Sequence, residues 1–278
     1  MPCDSPIYVD NPRPWTGTYY VPVPCGNCAV CQRNKVTSWV FRLMQEDKDA
    51  IASHFVTLTY DNEHVPLSDN GFPTLRKDDL RLFWKRLRRR QSRKIKYYVV
   101  GEYGSKTYRP HYHAIVFNVE STDYFVEAWP AGHVDVGTVT DKSVGYTVGY
   151  INKGKVVPAH RNDDRVPEFS NMSKFLGVGY LSDAVLRYHR SDVERNFVTL
   201  DGGCKVPLPR YYRDKIYSDS DKDLQRQIIT SKYENEAVLK EQEFYRKYGP
   251  DADWLLYQEN CKLGREKVHR GRAQNRKL

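Results

Sequence analysis

The sequence predicts an α+β fold: a central antiparallel β-sheet flanked by helices, followed by a mainly helical C-terminal extension. Three features of the 278 residues point to it. Candidate helices and strands do not alternate strictly, two β-rich runs are joined by a short turn-forming connection, and the last third carries helical periodicity.

The elements follow in order. Apolar residues at Val36, Trp39, Val40, Leu43 and Met44 have helical spacing, which predicts a helix over 32–51. FVTLTY (55–60) alternates and is β-rich, so it reads as a strand. Residues 61–73 read as a loop. Leu80, Phe83, Trp84 and Leu87 form a narrow apolar stripe on an otherwise basic helix over 77–90. YYVVGE (97–102) and HAIVFNV (113–119) read as two strands, and the intervening GSKTYRP makes them an antiparallel hairpin. A short helix over 123–129, a strand over 133–140 and a helix over 141–153 complete the core. Residues 154–171 read as an exposed connection, and 181–195 and 221–247 as helices either side of VPLPRYY. The domain expectation is a cysteine-containing N-terminal segment and helix at 1–54, a core at 55–155 and an extension with a basic tail at 156–278.

Charge narrows the function. The net charge is +9, and the stretch from Arg76 to Lys96, with eleven basic and two acidic residues, accounts for all of it. The tail from Lys262 holds seven basic residues and one acidic one. A compact basic cluster attracts phosphate and releases counterions. This makes Lys85, Arg86, Arg88, Arg89, Arg90, Arg93 and Lys94 the candidate DNA-binding residues. The 21 tyrosines offer stacking surfaces for unpaired bases. No run approaches the roughly 18 apolar residues that cross a bilayer, and the N-terminus lacks a secretion signal. The expectation is an intracellular protein that binds no membrane, whose cysteines are thiols or metal ligands rather than disulfides.

The sharpest motif is RPHYHAIVF (109–117). On a strand, His111 and His113 project from one face, where two imidazoles can hold a divalent ion. Glu102, at the end of the preceding strand, reaches the same face if the two strands pair. Tyr146, Tyr150 and Lys153 fall on one face of the helix that follows. Tyrosine can serve as a covalent nucleophile. Lowering its pKa from about 10 to about 7 takes on the order of 4 kcal/mol, which Lys153 or the ion can supply. Each feature alone has an ordinary reading: a surface glutamate, a structural histidine pair, tyrosines packing a helix. Together with the basic run they describe a metal that polarises a phosphodiester, a phenol that attacks it and a groove that holds the strand. The segment 149–155 imitates a phosphate-binding loop, but Val156 stands where Ser or Thr is needed, so no nucleotide cofactor is expected.

FVTLTY, RPHYHAIVF and YTVGYINK, in that order, resemble the three motifs of HUH endonucleases. With PCGNCAVCQRNKVTSWVFRLMQE, GEYGSKTYRPHYH and PLPRYYRDK, the chain over roughly 1–217 is similar to the replication initiators of gokushovirus-type single-stranded DNA phages. The resemblance implies the HUH fold, a compact RRM-like antiparallel sheet. It implies His111 and His113 as the metal pair, with Tyr112 standing where the family has a hydrophobic residue, and Glu102 as the third ligand. It implies Tyr150 and Lys153 as the Tyr-x-x-Lys core and Tyr146 as a second nucleophile. The implied activity is a metal-dependent endonuclease and strand transferase. It would nick single-stranded origin DNA, retain a 5′-phosphotyrosine bond, free a 3′-OH and rejoin ends in rolling-circle replication. The cofactor is then Mg²⁺ or Mn²⁺, the partners are origin DNA and host helicase and polymerase, and the place is the cytoplasm of a bacterial host. Two other readings stay open: a non-catalytic nucleic-acid-binding protein on the same scaffold, and an HUH transposase or relaxase.

Cys25, Cys28 and Cys31 form C-x-x-C-x-x-C, and Cys3 is able to complete four sulfurs for structural Zn²⁺. The triplet also resembles half of an iron–sulfur pattern, although Lys35 stands at the fourth position. Free thiols are the third reading.

Overall fold

A computed structural model describes residues 3–11, 17, 19–104, 107–149, 157–200 and 202–275. In chain order the elements are β1 (Ile7–Asp10), β2 (Tyr20–Val23), α1 (Ala29–Asp49), β3 (Ser53–Tyr60), α2 (Lys77–Arg89), β4 (Lys96–Tyr103), β5 (Pro110–Phe117), α3 (Asp123–Ala128), β6 (Gly132–Thr138) and α4 (Asp141–Gly149). There follow β7 (Phe169–Met172), α5 (Asp183–Arg190), β8 (Phe197–Thr199), β9 (Lys205–Pro207), α6 (Arg210–Ile216), α7 (Asp219–Tyr248) and α8 (Trp254–Asn275). The chain divides into two compact units, Trp39–Tyr180 and Met1–Ser38 with Leu181–Leu278. The predicted α+β class holds, with a helical C-terminal region. The sheet-bearing unit takes in the second half of α1 and the strand β7.

The sheet of that unit is wholly antiparallel, in the order β6-β3-β5-β4-β7. Strand alternation gives it two apolar faces. On one, Val56 and Leu58 of β3 and Tyr112, Ala114 and Val116 of β5 meet Leu80, Phe83, Trp84 and Leu87 of α2 and Phe125 of α3. The α2 stripe is buried as its spacing predicts. Asp78 and Asp79 in its first turn and Arg86, Arg88 and Arg89 in its last complement the helix dipole. On the other face, Trp39 of α1 packs on Tyr98 of β4, ring centroids 4.9 Å apart. Glu46 of α1 receives Lys96 of β4 at 2.7 Å. The helix α4 lies against β4 and β5 on this face, with Val144 and Val148 fully buried.

Two expectations are corrected in this unit. Residues 154–171 are not simply an exposed connection: within the described part, Val157, Asp163 and Arg165 are buried. Phe169–Met172 adds the fifth strand alongside β4, with Phe169 opposite Gly101. A Cβ on Gly101 would sit 3.0 Å from the Leu75 side chain and 3.1 Å from the Phe169 ring, so glycine here lets those side chains approach the strand closely and is not there for turning. In the other unit, only 183–190 of the predicted helix over 181–195 is helical. There the basic tail continues as the helix α8 through Asn275. Among the described residues no helix is long and apolar enough to cross a membrane.

Candidate metal and nucleophile site

The hairpin β4–β5 sets the site. Its register places Glu102 directly opposite His111, and a directly opposed antiparallel pair shares a face. The Glu102 Oε1 lies 2.7 Å from His111 Nε2 and 3.3 Å from His113 Nε2. One donor atom from each of the three residues falls within 4.8 Å of the others. Adjacent ligands of an ion held at about 2.1 Å lie about 3 Å apart, and the two observed separations bracket that value. Two imidazole nitrogens and a carboxylate oxygen are a donor set for a divalent cation that leaves further coordination positions open.

A second layer fixes the imidazoles. His111 Nδ1 lies 3.1 Å from the Arg109 carbonyl oxygen. A carbonyl only accepts, so a proton on Nδ1 satisfies this contact, and with an ion bound Nε2 would be free to serve as its ligand atom. His113 Nδ1 lies 3.0 Å from Thr57 Oγ1, and the β3–β5 register that places Thr57 opposite His113 makes this contact. Phe55, two residues earlier on the same face of β3, stacks on His113 at 5.6 Å with the rings 10° from parallel. Glu102 and His113 are buried. A carboxylate that far from water needs positive charge beside it, which an ion or a protonated imidazole provides.

Tyr146 closes one side. Its ring centroid is 5.4 Å from that of His113 and 6.4 Å from that of Phe55, edge-on to both. The helix that carries it starts at Thr140, whose Oγ1 accepts from the Ser143 N–H at 3.1 Å. The inner face, Val144, Thr147 and Val148, is buried, and Tyr146 is left 37% exposed on the flank towards the histidines. Tyr150 and Lys153 lie outside the described residues. Tyr112, between the two histidines, points to the opposite face. Its hydroxyl accepts from the Arg76 N–H at 2.9 Å and lies 2.9 Å from the Tyr60 hydroxyl, which donates to Asp79 at 2.8 Å. Burial pushes the Tyr112 phenol up to about 12, so it stays neutral.

The basic helix is not where a single groove would put it. Its apolar stripe packs on the Tyr112 face, and Trp84 stacks on Tyr97 at 3.9 Å. The helix α2 therefore lies across the sheet from Glu102, His111 and His113. Arg86 donates to the Ala128 carbonyl at 3.2 Å, Arg90 pairs with Glu127 at 2.8 Å and Arg93 is 3.9 Å from Glu120. Lys85, Arg88, Arg89 and Lys94 are exposed.

Residues 53–155, from β3 through all three motifs, match the model of the replication-associated protein ORF2/G2P family. The chain belongs to this family. It is 31% identical over 216 residues to the replication-associated protein VP4 of Bdellovibrio phage phiMH2K, covering 69% of this chain and 66% of that one. It is 29% identical over 251 residues to the replication-associated protein ORF2 of Spiroplasma virus 4, covering 76% and 78%. With the replication-associated protein ORF4 of Chlamydia phage 1 the figures are 30% over 223 residues, 70% and 53%. The chain thus spans about two thirds of the first of these relatives and about half of the third. No solved structure matches it. The family match takes in Glu102, His111, His113 and Tyr146, and it begins after the last cysteine of the N-terminal triplet. Thr57 and Phe55 belong to FVTLTY, but the motif by itself gives neither a place beside His113. That place becomes visible only through the β3–β5 register.

Proposed function

We propose that this protein initiates rolling-circle replication of a single-stranded DNA phage by nicking and rejoining single-stranded origin DNA. The observation that carries the reading is the convergence of Glu102, His111 and His113 on one sheet face with Tyr146 against His113. Glu102 and the two Nε2 atoms would hold Mg²⁺ or Mn²⁺, while Thr57 and the Arg109 carbonyl keep the rings turned inward. The bound ion supplies Lewis-acid polarisation of the scissile phosphodiester. The Tyr150 phenolate attacks phosphorus, the P–O3′ bond breaks, and the departing 3′ oxygen takes up a proton as the 5′-phosphate passes to tyrosine. Lys153 offsets the phenolate charge. One ester replaces another, so no nucleotide is consumed, and the free 3′-OH primes host synthesis. Tyr146 serves the second cleavage, and the reverse attack by the 3′-OH closes the circle. Host helicase and polymerase supply the unwinding and synthesis. A non-catalytic DNA-binding protein has no use for a Glu-His-His cluster beside a tyrosine.

The test combines protein, Mn²⁺ and a labelled single-stranded origin oligonucleotide, and reads a denaturant-resistant adduct on a gel. The expected result is an adduct that disappears with EDTA, with His111→Ala or His113→Ala, and with Tyr150→Phe, while DNA binding survives the histidine changes. Normal cleavage by the Tyr146→Phe/Tyr150→Phe double variant defeats the tyrosine mechanism, and undiminished cleavage in EDTA defeats the metal.

A further inference from the structure

We infer that Cys3, Cys25, Cys28 and Cys31 form a structural zinc site that anchors the N-terminal hairpin to the start of α1. The four sulfurs lie within 4.8 Å of one another. Cys3 Sγ is 3.5 Å from Cys25 Sγ and 3.7 Å from Cys28 Sγ. Four thiolates around zinc at about 2.3 Å stand about 3.8 Å apart, whereas a disulfide brings sulfurs to about 2.05 Å. All four are free thiols with bonded-pair geometry nowhere among them.

The backbone is arranged for thiolates. The Cys28 N–H donates to Cys25 Sγ at 3.3 Å, the Cys25 N–H to Cys3 Sγ at 3.3 Å and the Ser5 N–H to Cys3 Sγ at 3.4 Å. Gly26, at φ +77°, provides the left-handed turn that folds the Cys25–Cys28 knuckle back on itself. Cys28 caps α1, its carbonyl accepting from Gln32 N at 3.0 Å, and Cys31 sits in the first turn. Four thiolates on Zn²⁺ carry a net −2, and the positive end of a helix is a favourable place for it.

The site has a structural task. Cys3 and Cys25 bracket β1 and β2, which among the described residues pair only with each other. Every residue of β1 is exposed, including Tyr8 at 69%. A two-stranded hairpin that buries so little of its apolar surface is marginal in water, and a metal that clamps both of its ends to a helix supplies the hold that a core would give.

The experiment uses the full chain, purified under reducing conditions without chelator, in the His111→Ala background so that the Glu-His-His cluster does not contribute. Elemental analysis is expected to give about one zinc per chain, falling to near zero in Cys28→Ser and unchanged in Cys204→Ser or Cys261→Ser. Because a cysteine variant can lose metal by failing to fold, the parent protein is also stripped, reduced and titrated with Co²⁺. The expected spectrum has the intense sulfur-to-cobalt charge transfer and visible bands of a tetrahedral thiolate site, abolished by one equivalent of Zn²⁺. Iron with labile sulfide in place of zinc, zinc retained by the Cys28→Ser/Cys31→Ser variant, or no zinc together with no thiolate–cobalt band each overturns the inference.

Discussion

At the residue scale, the two histidines differ in what holds them. His111 is oriented by its own strand through the Arg109 carbonyl, but His113 depends on a hydroxyl from the neighbouring strand, Thr57. Replacing Thr57 with valine keeps the shape and removes the oxygen. Outer-layer partners of metal-bound histidine typically carry 10–100-fold in affinity. The Thr57→Val variant should therefore need about that much more Mn²⁺ for half-maximal adduct formation, with unchanged thermal stability. Unchanged Mn²⁺ dependence would remove Thr57 from the site. Tyr112 makes the opposite case. It sits between the two histidines in sequence yet faces α2, so Tyr112→Phe leaves the Arg76 N–H and carbonyl without their hydroxyl partner, while Tyr60 keeps its bond to Asp79. The expected cost is about 1–3 kcal/mol in denaturant unfolding, with adduct yield per folded molecule preserved. Glu102, His111 and His113 were legible in the sequence because strand alternation and a short hairpin leave little freedom. Thr57 was not, because nothing local says which strand lies beside β5 or in what register.

At the element scale, legibility followed the strength of the repeating pattern. The strands β3 to β6 and the helix α2 carry enough alternation or stripe to be read, with ends displaced by a few residues at β5. The strand β7 has only four residues, Phe-Ser-Asn-Met, with no β-rich alternation, and exists because β4 offers it an edge. The segment before it is held by a buried ion pair that no local pattern announces. Arg165 meets both Asp163 carboxylate oxygens, at 2.8 and 2.7 Å, and its guanidinium lies 5.1 Å from the Tyr103 ring centre. The Arg165 hydrogen bonds hold the Asp163 carboxyl well below the usual carboxylate range. A folded-state pKa below the unfolded one stabilises the protein above the unfolded value of about 4, and the contribution fades as pH falls through the folded value. Asp163→Asn should accordingly lower the melting temperature at neutral pH, and the gap from wild type should close on acidification. A gap independent of pH would assign the loss to packing rather than to the ion pair.

At the scale of the whole molecule, the basic helix α2 and the cluster of Glu102, His111 and His113 lie against opposite faces of one sheet. The stretch from Arg76 to Lys96 carries a charge equal to the entire net +9, and composition shows this at once. Composition does not show that the apolar stripe of α2 sets Lys85, Arg88 and Arg89 on the Tyr112 side, across the sheet from Glu102, His111 and His113, while Lys96 of the same stretch pairs with Glu46 on the other face. On the proposed mechanism, a strand engaged at Glu102, His111 and His113 would not need the α2 cations for the reaction, and those cations would hold DNA that extends beyond the site. Removing Lys85, Arg88, Arg89 and Lys94 together should therefore weaken binding of a long single strand and flatten its salt dependence. Each lost phosphate contact takes about 0.7 from the slope of log K against log salt, so about 3 in all if every cation is engaged. Adduct formation on a short oligonucleotide at saturation should be untouched. An unaltered salt slope would make α2 a solvated face and nothing more. Lost cleavage of the saturated short substrate would place its cations in the reaction itself, against the separation the sheet imposes.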